Sequence, residues 1–245
     1  MEQPRPLVER KLSELREQVL RMGGLAESIL EKSFRAITQR RPTLAHEVLE
    51  DDLAIDRLDL EIDRGVLALL ALGAPVAQDL RQTIAIKTAA LDLERVGDLA
   101  RNIAESALRL EDENVIQVPP ALQTLATDTQ RILSHALTAF ADNDTKRAHQ
   151  VIDSDDQIDD DEASVIEGSL QKMRSQPEIA PACIEFILIA KSLERVGDHA
   201  TNIAEDIVMA TQSMNIKHAT KLSTESATER SPSTPPSPAR PRRIM

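Results

Sequence analysis

Four pairs of acidic residues, each four residues apart, occupy corresponding positions in the two halves of the chain. Four residues along a helix advance about 6 Å and turn about 40°, so each pair projects from one helix face. Two carboxylates at this separation repel each other by about 0.7 kcal/mol in water, and by more near a surface of low dielectric. The pairs are Asp52 with Asp56, Glu94 with Asp98, Asp155 with Asp159, and Glu194 with Asp198.

Bound cations would offset the repulsion within these pairs. Oxygen ligands without cysteine or paired histidine suit hard ions such as Mg²⁺, Mn²⁺, Ca²⁺ or ferric iron better than zinc. A single pair more often belongs to a solvated face, but four pairs placed symmetrically favour metal binding. The sequence therefore predicts metal sites at these eight residues. Further ligands or supporting contacts are predicted at Asn102, Glu105, Asn202 and Glu205.

Two arginines directly follow the glutamates of the acidic pairs. Arg95 and Arg195 either brace the acidic residues through ion pairs or contact a partner, and bracing is the interpretation we favour. A glycine lies two residues further on in each copy, at Gly97 and Gly197, where it permits close helix approach or leaves room for an ion. His199 is interpreted as a surface histidine rather than as a ligand.

An internal duplication explains why the acidic pairs recur. The segment 93–105 reappears as 193–205 with eleven of thirteen positions identical, and only Leu99/His199 and Arg101/Thr201 differ. An upstream segment, 48–56, likewise corresponds to 151–159. A repeat of about 100 residues indicates two copies of one three-helix unit. The predicted domains are 5–112 and 117–215, followed by a tail over 216–245.

Composition and proline placement predict an all-α fold. The chain has three Phe, no Tyr and no Trp, so its core must be built from Leu, Ile, Val and Ala, which interdigitate between helices. Prolines end helical patterns because they remove a hydrogen bond and clash with the preceding turn. Six helices are predicted near 5–39, 43–72, 76–112, 119–141, 144–174 and 178–213.

Charge and hydropathy exclude several classes of partner. The net charge is −12, and residues 217–245 carry six Lys or Arg against two Glu, which leaves −16 on the rest. Such a body repels nucleic acid, anionic membrane surfaces and free phosphate. The longest apolar stretch, 66–77, is too short to span a bilayer, and the lone Cys183 fits a reducing compartment. A cytoplasmic protein with a disordered Ser-, Pro- and Arg-rich tail over 216–245 is predicted.

Motifs of common enzymes are missing from the sequence. It has no glycine-rich phosphate loop after a strand, no nucleophile beside a His–Asp pair, and neither CxxC nor HExxH. Di-iron oxidases use Glu-x-x-His on their helices, whereas Gly97 and Gly197 stand three residues after the glutamates here. The sequence therefore predicts that the protein is not an enzyme. The alternative function is that of a helical iron-storage or redox protein.

The duplicated motif Leu-Glu-Arg-Val-Gly-Asp-x-Ala-x-Asn-Ile-Ala-Glu, with its upstream Asp-x-x-x-Asp pairs, resembles the signature of the PhoU family of phosphate-specific transport system accessory proteins. The resemblance covers about residues 5–215. It implies two three-helix bundles related by pseudo-twofold symmetry, a homodimer, and multinuclear metal sites at the eight acidic residues. It also implies a negative regulator that links the ATPase subunit of an ABC phosphate transporter to a membrane sensor histidine kinase. The tail is not part of the family pattern.

Overall fold

Helices account for almost all of the chain that the structure describes. The computed structural model describes residues 4–111 and 117–212, and it contains no strand within those ranges. The α-helices are α1 Pro4–Thr38, α2 Pro42–Gly73, α3 Gln78–Arg109, α4 Pro120–Asp142, α5 Thr145–Ile152, α6 Asp155–Ser175 and α7 Ala180–Gln212, with a single 3₁₀ turn at Pro177–Ile179. The all-α prediction is confirmed.

The predicted fifth helix, 144–174, is wrong as one continuous element, because α5 ends at Ile152 and α6 begins at Asp155. The Ser154 hydroxyl donates to the Gln150 carbonyl at 2.7 Å, and the Ser154 backbone N–H donates to the Val151 carbonyl at 3.0 Å. These bonds tighten the last turn of α5 and compete with the regular α-helical pattern. Asp155 and Asp156 then open α6, where acidic side chains favour the helix N-terminus.

The two repeats form two helical bundles, as predicted. Helices α1, α2 and α3 pack on one another in the first bundle, and α4 to α7 pack on one another in the second. Aliphatic side chains fill both interiors: Val19, Ile55 and Leu93 are fully buried in the first bundle, and Leu133 and Leu193 in the second. Stripes at alternating spacings of three and four residues bring these side chains to one helix face.

Helices α3 and α7 are antiparallel neighbours at the contact between the bundles. Arg81 Nε lies 3.5 Å from the Ala210 carbonyl, His199 Nδ1 lies 2.8 Å from Asp92 Oδ1, and Arg109 Nε lies 2.8 Å from Glu185 Oε1. Residue numbers therefore rise along α3 as they fall along the facing side of α7. The midpoint of this register lies near Val96 and Val196, which are the same position in the two repeats, as a twofold relation between the repeats requires.

Two sequence predictions concern the ends of the chain and the membrane. The disordered tail predicted over 216–245 lies outside the described residues. Within residues 4–111 and 117–212, no helix is both long enough and apolar enough to cross a membrane.

Candidate functional site

The first acidic cluster lies between α2 and α3 and comprises Asp52, Asp56, Asp59, Glu94 and Asp98. Asp52 is only 3% exposed, although it is a carboxylate on the side of a helix. Its burial depends on Gly97 across the interface, because a Cβ atom at position 97 would lie 2.7 Å from Asp52 Oδ1. The mid-helix glycine of α3 therefore makes room for a carboxylate of α2.

Two arginines of α3 partly neutralise the first acidic cluster. Arg95 lies with Nε 3.4 Å from Glu94 Oε2 and Nη1 3.2 Å from Asp98 Oδ2. Arg101 lies with Nη1 3.2 Å from Asp52 Oδ2 and Nη2 3.3 Å from Asp98 Oδ1. The geometry at Arg95 is that of a bracing residue. Arg101, which the sequence reasoning passed over, bridges α2 and α3 by binding one carboxylate of each.

Two carboxylates of the first cluster, those of Asp52 and Glu94, have raised pKa values despite these arginines. Burial, followed by the charge of Asp56, raises the pKa of Asp52 against the opposing effect of Arg101. Burial, followed by the charge of Asp98, raises the pKa of Glu94 against the opposing effect of Arg95. Glu94 Oε2 is buried and accepts no hydrogen bond from a residue within 4–111 or 117–212, so its 3.4 Å contact with Arg95 Nε is an ion pair only. An additional positive charge near these oxygens would favour their ionised forms.

The second acidic cluster lies between α6 and α7 and comprises Asp155, Asp159, Glu162, Glu194 and Asp198. Burial, with the charges of Asp198, Glu162 and Asp159, raises the pKa of Glu194 to about 7, while Lys191 opposes this shift. Lys191 Nζ itself pairs with Glu162 Oε1 at 3.1 Å. The repeats thus share an arrangement of carboxylates on two helices, but they differ in the cations beside them.

One substitution between the repeats accounts for part of the difference in cations. Where the first repeat has Arg101, the second has Thr201, whose hydroxyl donates to Asp155 Oδ1 at 3.2 Å without supplying a charge. Arg195 is exposed and, in the part of the chain that the structure describes, makes no ion pair, unlike Arg95. Contact with a partner therefore stays the open prediction for Arg195.

The predicted supporting residues have mixed positions. Asn202 Nδ2 donates to Asp92 Oδ1 of α3 at 3.3 Å, so it contributes to the contact between the bundles. Glu105 is exposed with Oε2 3.9 Å from Arg109 Nη1, and Asn102 is also exposed. Glu205 is partly exposed on α7. A ligand role for these four residues stays a prediction.

The interpretation of His199 as a surface residue is wrong. Its side chain is 17% exposed and its Nδ1 lies 2.8 Å from Asp92 Oδ1 across the α3–α7 contact. The signal that could have revealed this pair is a double departure from the repeat. Position 199 corresponds to position 99, which is leucine, and position 92 corresponds to position 192, which is serine. The twofold-related pair of positions is therefore Leu99 and Ser192, which cannot form an ion pair.

The prediction from sequence also missed two acidic residues that lie three residues after the second member of a predicted pair. Asp59 and Glu162 stand seven residues after Asp52 and Asp155, which places them on the same helix faces. Lys87 of α3 lies 3.6 Å from Asp59 Oδ1 and also contacts Asp63, as Lys191 contacts Glu162 in the second repeat. Extending the spacing by a heptad in both repeats would have found them.

The donor types fit a hard cation, but the side chains do not close around one. No three His, Cys, Asp or Glu side chains within residues 4–111 and 117–212 converge closely enough to hold a metal ion. The clusters do supply oxygen donors whose raised pKa values show that a nearby positive charge would stabilise them. Metal binding at the eight predicted residues therefore stays a prediction.

The two mid-helix glycines offer a matched test of the packing at the clusters. Replacing glycine by alanine inside a helix favours the helix by about 0.5–1 kcal/mol where space permits. A Cβ atom at Gly197 would lie 3.1 Å from Ile158 Cγ2, whereas one at Gly97 would lie 2.7 Å from Asp52 Oδ1. We expect Gly97→Ala to displace Asp52 from Arg101 and to be less stable than Gly197→Ala by about 1 kcal/mol. Urea unfolding of both variants measures this, and equal stabilities would contradict it.

Comparison with known proteins agrees with the repeated architecture. The model of the PhoU domain family matches residues 19–107 and 122–207. A phosphate-specific transport system accessory protein PhoU homolog of Caulobacter vibrioides strain NA1000 is 37% identical over 198 residues, which cover 80% of this chain and 86% of the relative. PhoU homolog 1 of Thermotoga maritima is 33% identical over 210 residues, which cover 85% of this chain and 90% of the relative.

Solved structures show the same fold. The crystal structure of PhoU from Pseudomonas aeruginosa matches with a TM-score of 0.81 and 31% identity, covering 84% of this chain and 99% of that one. The phosphate transport system regulatory protein PhoU from Streptococcus pneumoniae matches with a TM-score of 0.79 and 27% identity, covering 85% and 98%. Because the family model matches both repeats and these relatives cover most of the chain, the chain belongs to the PhoU family of phosphate-specific transport system accessory proteins.

Proposed function

We propose that this chain is a non-enzymatic negative regulator of phosphate uptake and of phosphate-starvation signalling. The observation that carries the proposal is the match of both repeats to the PhoU domain, together with relatives named as phosphate transport accessory and regulatory proteins. The absence of enzyme motifs from the sequence agrees with a role in binding rather than in catalysis.

The proposed partners are the ATPase subunit of an ABC phosphate transporter and a membrane sensor histidine kinase. A negatively charged body with two partly buried acidic clusters is a poor binder of free phosphate, because the anion is repelled before it reaches a donor. The chain must then respond to phosphate through other proteins that bind it, or through cations bound to its own carboxylates. A cytoplasmic homodimer acting as an adaptor between the two membrane complexes meets this requirement.

Metal ions are proposed to complete the adaptor. The residues that would hold them are Asp52, Asp56, Glu94 and Asp98 in the first cluster and Asp155, Asp159, Glu194 and Asp198 in the second. Mg²⁺, Mn²⁺ or ferric iron would supply positive charge that the raised pKa values of Asp52, Glu94 and Glu194 favour. Arg101 and Arg95 already supply part of that charge in the first cluster, so a bound cation would stabilise the second cluster more than the first.

Deleting the gene in its host tests the regulatory role. In phosphate-rich medium we expect expression of a phosphate-starvation reporter, such as a secreted alkaline phosphatase, to rise at least tenfold, and phosphate uptake to rise with it. A plasmid copy of the wild-type gene should restore both to the parental level. Unchanged reporter expression and uptake in the deletion strain would contradict the proposal.

The iron-storage alternative is separated by a loading experiment. Anaerobic addition of Fe²⁺ followed by air oxidation lets a storage protein accumulate many irons per chain, whereas an adaptor with two acidic clusters takes up only a few. We expect iron per chain to reach a plateau at fewer than about ten, since each cluster offers four or five carboxylates as ligands. Continued uptake beyond that plateau would favour storage.

A further inference from the structure

The outer face of α2 carries an unusual combination of side chains. Leu53, Leu60 and Leu67 recur at seven-residue intervals and are 52%, 54% and 66% exposed. Arg57 and Arg64 stand between them and are also exposed. Alternating spacings of four and three keep all five on one side of the helix, over a length of roughly 21 Å. These five residues are the Leu/Arg stripe.

The fold does not require leucine at these positions. Segment 48–56 of α2 corresponds to 151–159, which runs from the end of α5 into α6, so the equivalent positions of the second repeat can be read directly. They are exposed too, yet three of the five are acidic and a fourth is alanine, which shows that the same scaffold tolerates charge and small side chains there. The equivalents of the Leu/Arg stripe, in order, are Asp156, Asp160, Ala163, Glu167 and Leu170.

The arginines of the stripe are available to a partner. Neither Arg57 nor Arg64 forms an ion pair within the described ranges, although Glu61 lies near both along the helix. The pairs of Arg95 and Arg101 with the first acidic cluster show the contrast, since those guanidinium groups are already occupied. The stripe therefore presents unpaired positive charge on a protein whose net charge is −12.

Further exposed apolar residues follow the stripe at the end of α2 and in the connection to α3. Leu70, Leu72 and Val76, at the connection between α2 and α3, are 40%, 79% and 71% exposed. Several exposed large apolar residues within one stretch of chain indicate an interaction site more strongly than an isolated one does. The seven-residue interval further indicates a partner that runs along the helix, because that interval is the repeat by which two helices pack lengthwise.

We propose that the Leu/Arg stripe binds an amphipathic helix of another protein, with apolar residues at heptad spacing flanked by Asp or Glu. The apolar residues of that helix would cover the leucines, and its carboxylates would pair with Arg57 and Arg64. An anionic membrane fits less well, because Glu50 and Glu61 are exposed on the same helix and a broad anionic surface would meet them, whereas a single helix can lie along the stripe alone. This inference uses no residue of the acidic clusters and does not rest on the proposed function.

A second copy of the chain also fits less well than a separate partner. The acidic equivalents on α6 offer charge complementary to Arg57 and Arg64. Leu170, however, is the only large apolar side chain among those equivalents, so docking α2 of one copy on α6 of another would bury the leucines of the stripe largely against acidic side chains. Burial against polar groups loses most of the hydrophobic contribution.

A designed peptide tests the chemistry of the proposed partner. The probe is a fluorescein-labelled 21-residue helix with Leu at heptad positions a and d and Glu at e and g, where the glutamates keep it from pairing with itself. The control peptide has Lys in place of those glutamates. Fluorescence anisotropy with the full chain should show that the Glu peptide binds at least tenfold more tightly than the Lys peptide. Equal affinities, or no binding of the Glu peptide, would overturn the proposal.

Matched variants locate the binding site. The double variant Leu60→Ala, Arg64→Glu introduces the residues that the second repeat carries, and it should weaken binding of the Glu peptide at least tenfold. The control, Leu170→Ala with Lys146→Glu, removes an exposed leucine and an exposed cation elsewhere and should leave affinity within twofold. Thermal melting of both should match the parent protein, because all four side chains are exposed. Equal weakening by both doubles would overturn the assignment to the stripe.

Two other occupants of the stripe, a membrane and a second copy of the chain, are tested by separate measurements. Sedimentation with vesicles of phosphatidylcholine and phosphatidylglycerol (3:1) would reveal membrane binding, and sedimentation velocity would reveal self-association. We expect the stripe variant and the parent protein to behave identically in both experiments. Loss of vesicle binding in the stripe variant would replace the proposal with a membrane contact. Loss of a dimer in that variant would replace it with a second copy.

Discussion

At pH 8, in the presence of a chelator, Glu194→Gln should melt several degrees higher than the parent protein. The pKa of Glu194 is raised to about 7 by burial and by Asp198, Glu162 and Asp159. At pH 8 the native state must hold this carboxylate ionised in an unfavourable position, whereas the unfolded chain ionises it in water. Glutamine keeps the shape and removes the charge. With allowance for partial solvent exposure, the gain is about 1–2 kcal/mol, or roughly 3–6 °C for a chain of this length.

The dependence on pH has a definite sign. Because the folded pKa of Glu194 lies above the unfolded one, the folded state binds more protons between about pH 4.5 and 7. The ionisation of Glu194 therefore lowers the free energy of unfolding as pH rises through this window, and its full destabilising effect is present above pH 7. The advantage of Glu194→Gln should accordingly be largest at pH 8 and much smaller at pH 5, as thermal melts at the two pH values will show.

Two controls make this result specific. Glu167→Gln removes a charge from an exposed position of α6 and should change the melting temperature little at either pH. Glu94→Gln should give a smaller gain than Glu194→Gln, because Arg95 Nε lies 3.4 Å from Glu94 whereas Arg195 makes no ion pair in the described part of the second repeat. An equal gain for Glu194→Gln at pH 5 and pH 8 would contradict the pKa argument.

The sequence predicted the helices and the faces that carry the acidic pairs because both depend on local periodicity. Proline positions and stripes spaced by three and four residues decide where a helix ends and which side is buried. The break between α5 and α6 escaped prediction because Ser154, which lies at the break, donates its hydroxyl to the carbonyl four residues earlier, as Ser164 does inside the unbroken α6. Sequence spacing contains no sign that distinguishes the two cases.

Contacts between helices were harder to predict than helices. Spacing placed Asp52 on the right face of α2, but only the packing shows that Gly97 makes room for it and that Arg101 reaches it. The pairing of His199 with Asp92 depends on the antiparallel register of α3 and α7, which no local pattern fixes. A comparison of the two repeats position by position contains part of this information, because Arg101/Thr201 and Leu99/His199 are the differences that set the cations and the contact between the bundles.

Added Mg²⁺, Mn²⁺ or ferric iron should raise the melting temperature of the metal-free protein, and the double variant Glu194→Gln, Asp198→Asn should lose most of that rise. A ligand that binds only the native state stabilises it by about 2.7 kcal/mol at a hundredfold excess over its dissociation constant. For a chain of this length that is roughly 5–10 °C. The variant removes two anionic oxygen donors and also their mutual repulsion, so its metal-free form should be more stable than the metal-free parent protein.

The double variant Glu94→Gln, Asp98→Asn makes the same change in the first cluster, so the contributions of the two clusters to metal binding can be compared. Arg95 and Arg101 already supply charge to the first cluster, so neutralising it should remove less of the metal-dependent rise than neutralising the second. Isothermal titration of each variant counts the ions lost per cluster. If docking on the partners requires the metals, both variants should also fail to repress the starvation reporter in phosphate-rich medium. If none of the three ions changes the melting temperature of the parent protein, metal binding is refuted. If the variants bind no metal yet repress normally, the metals have a structural role only.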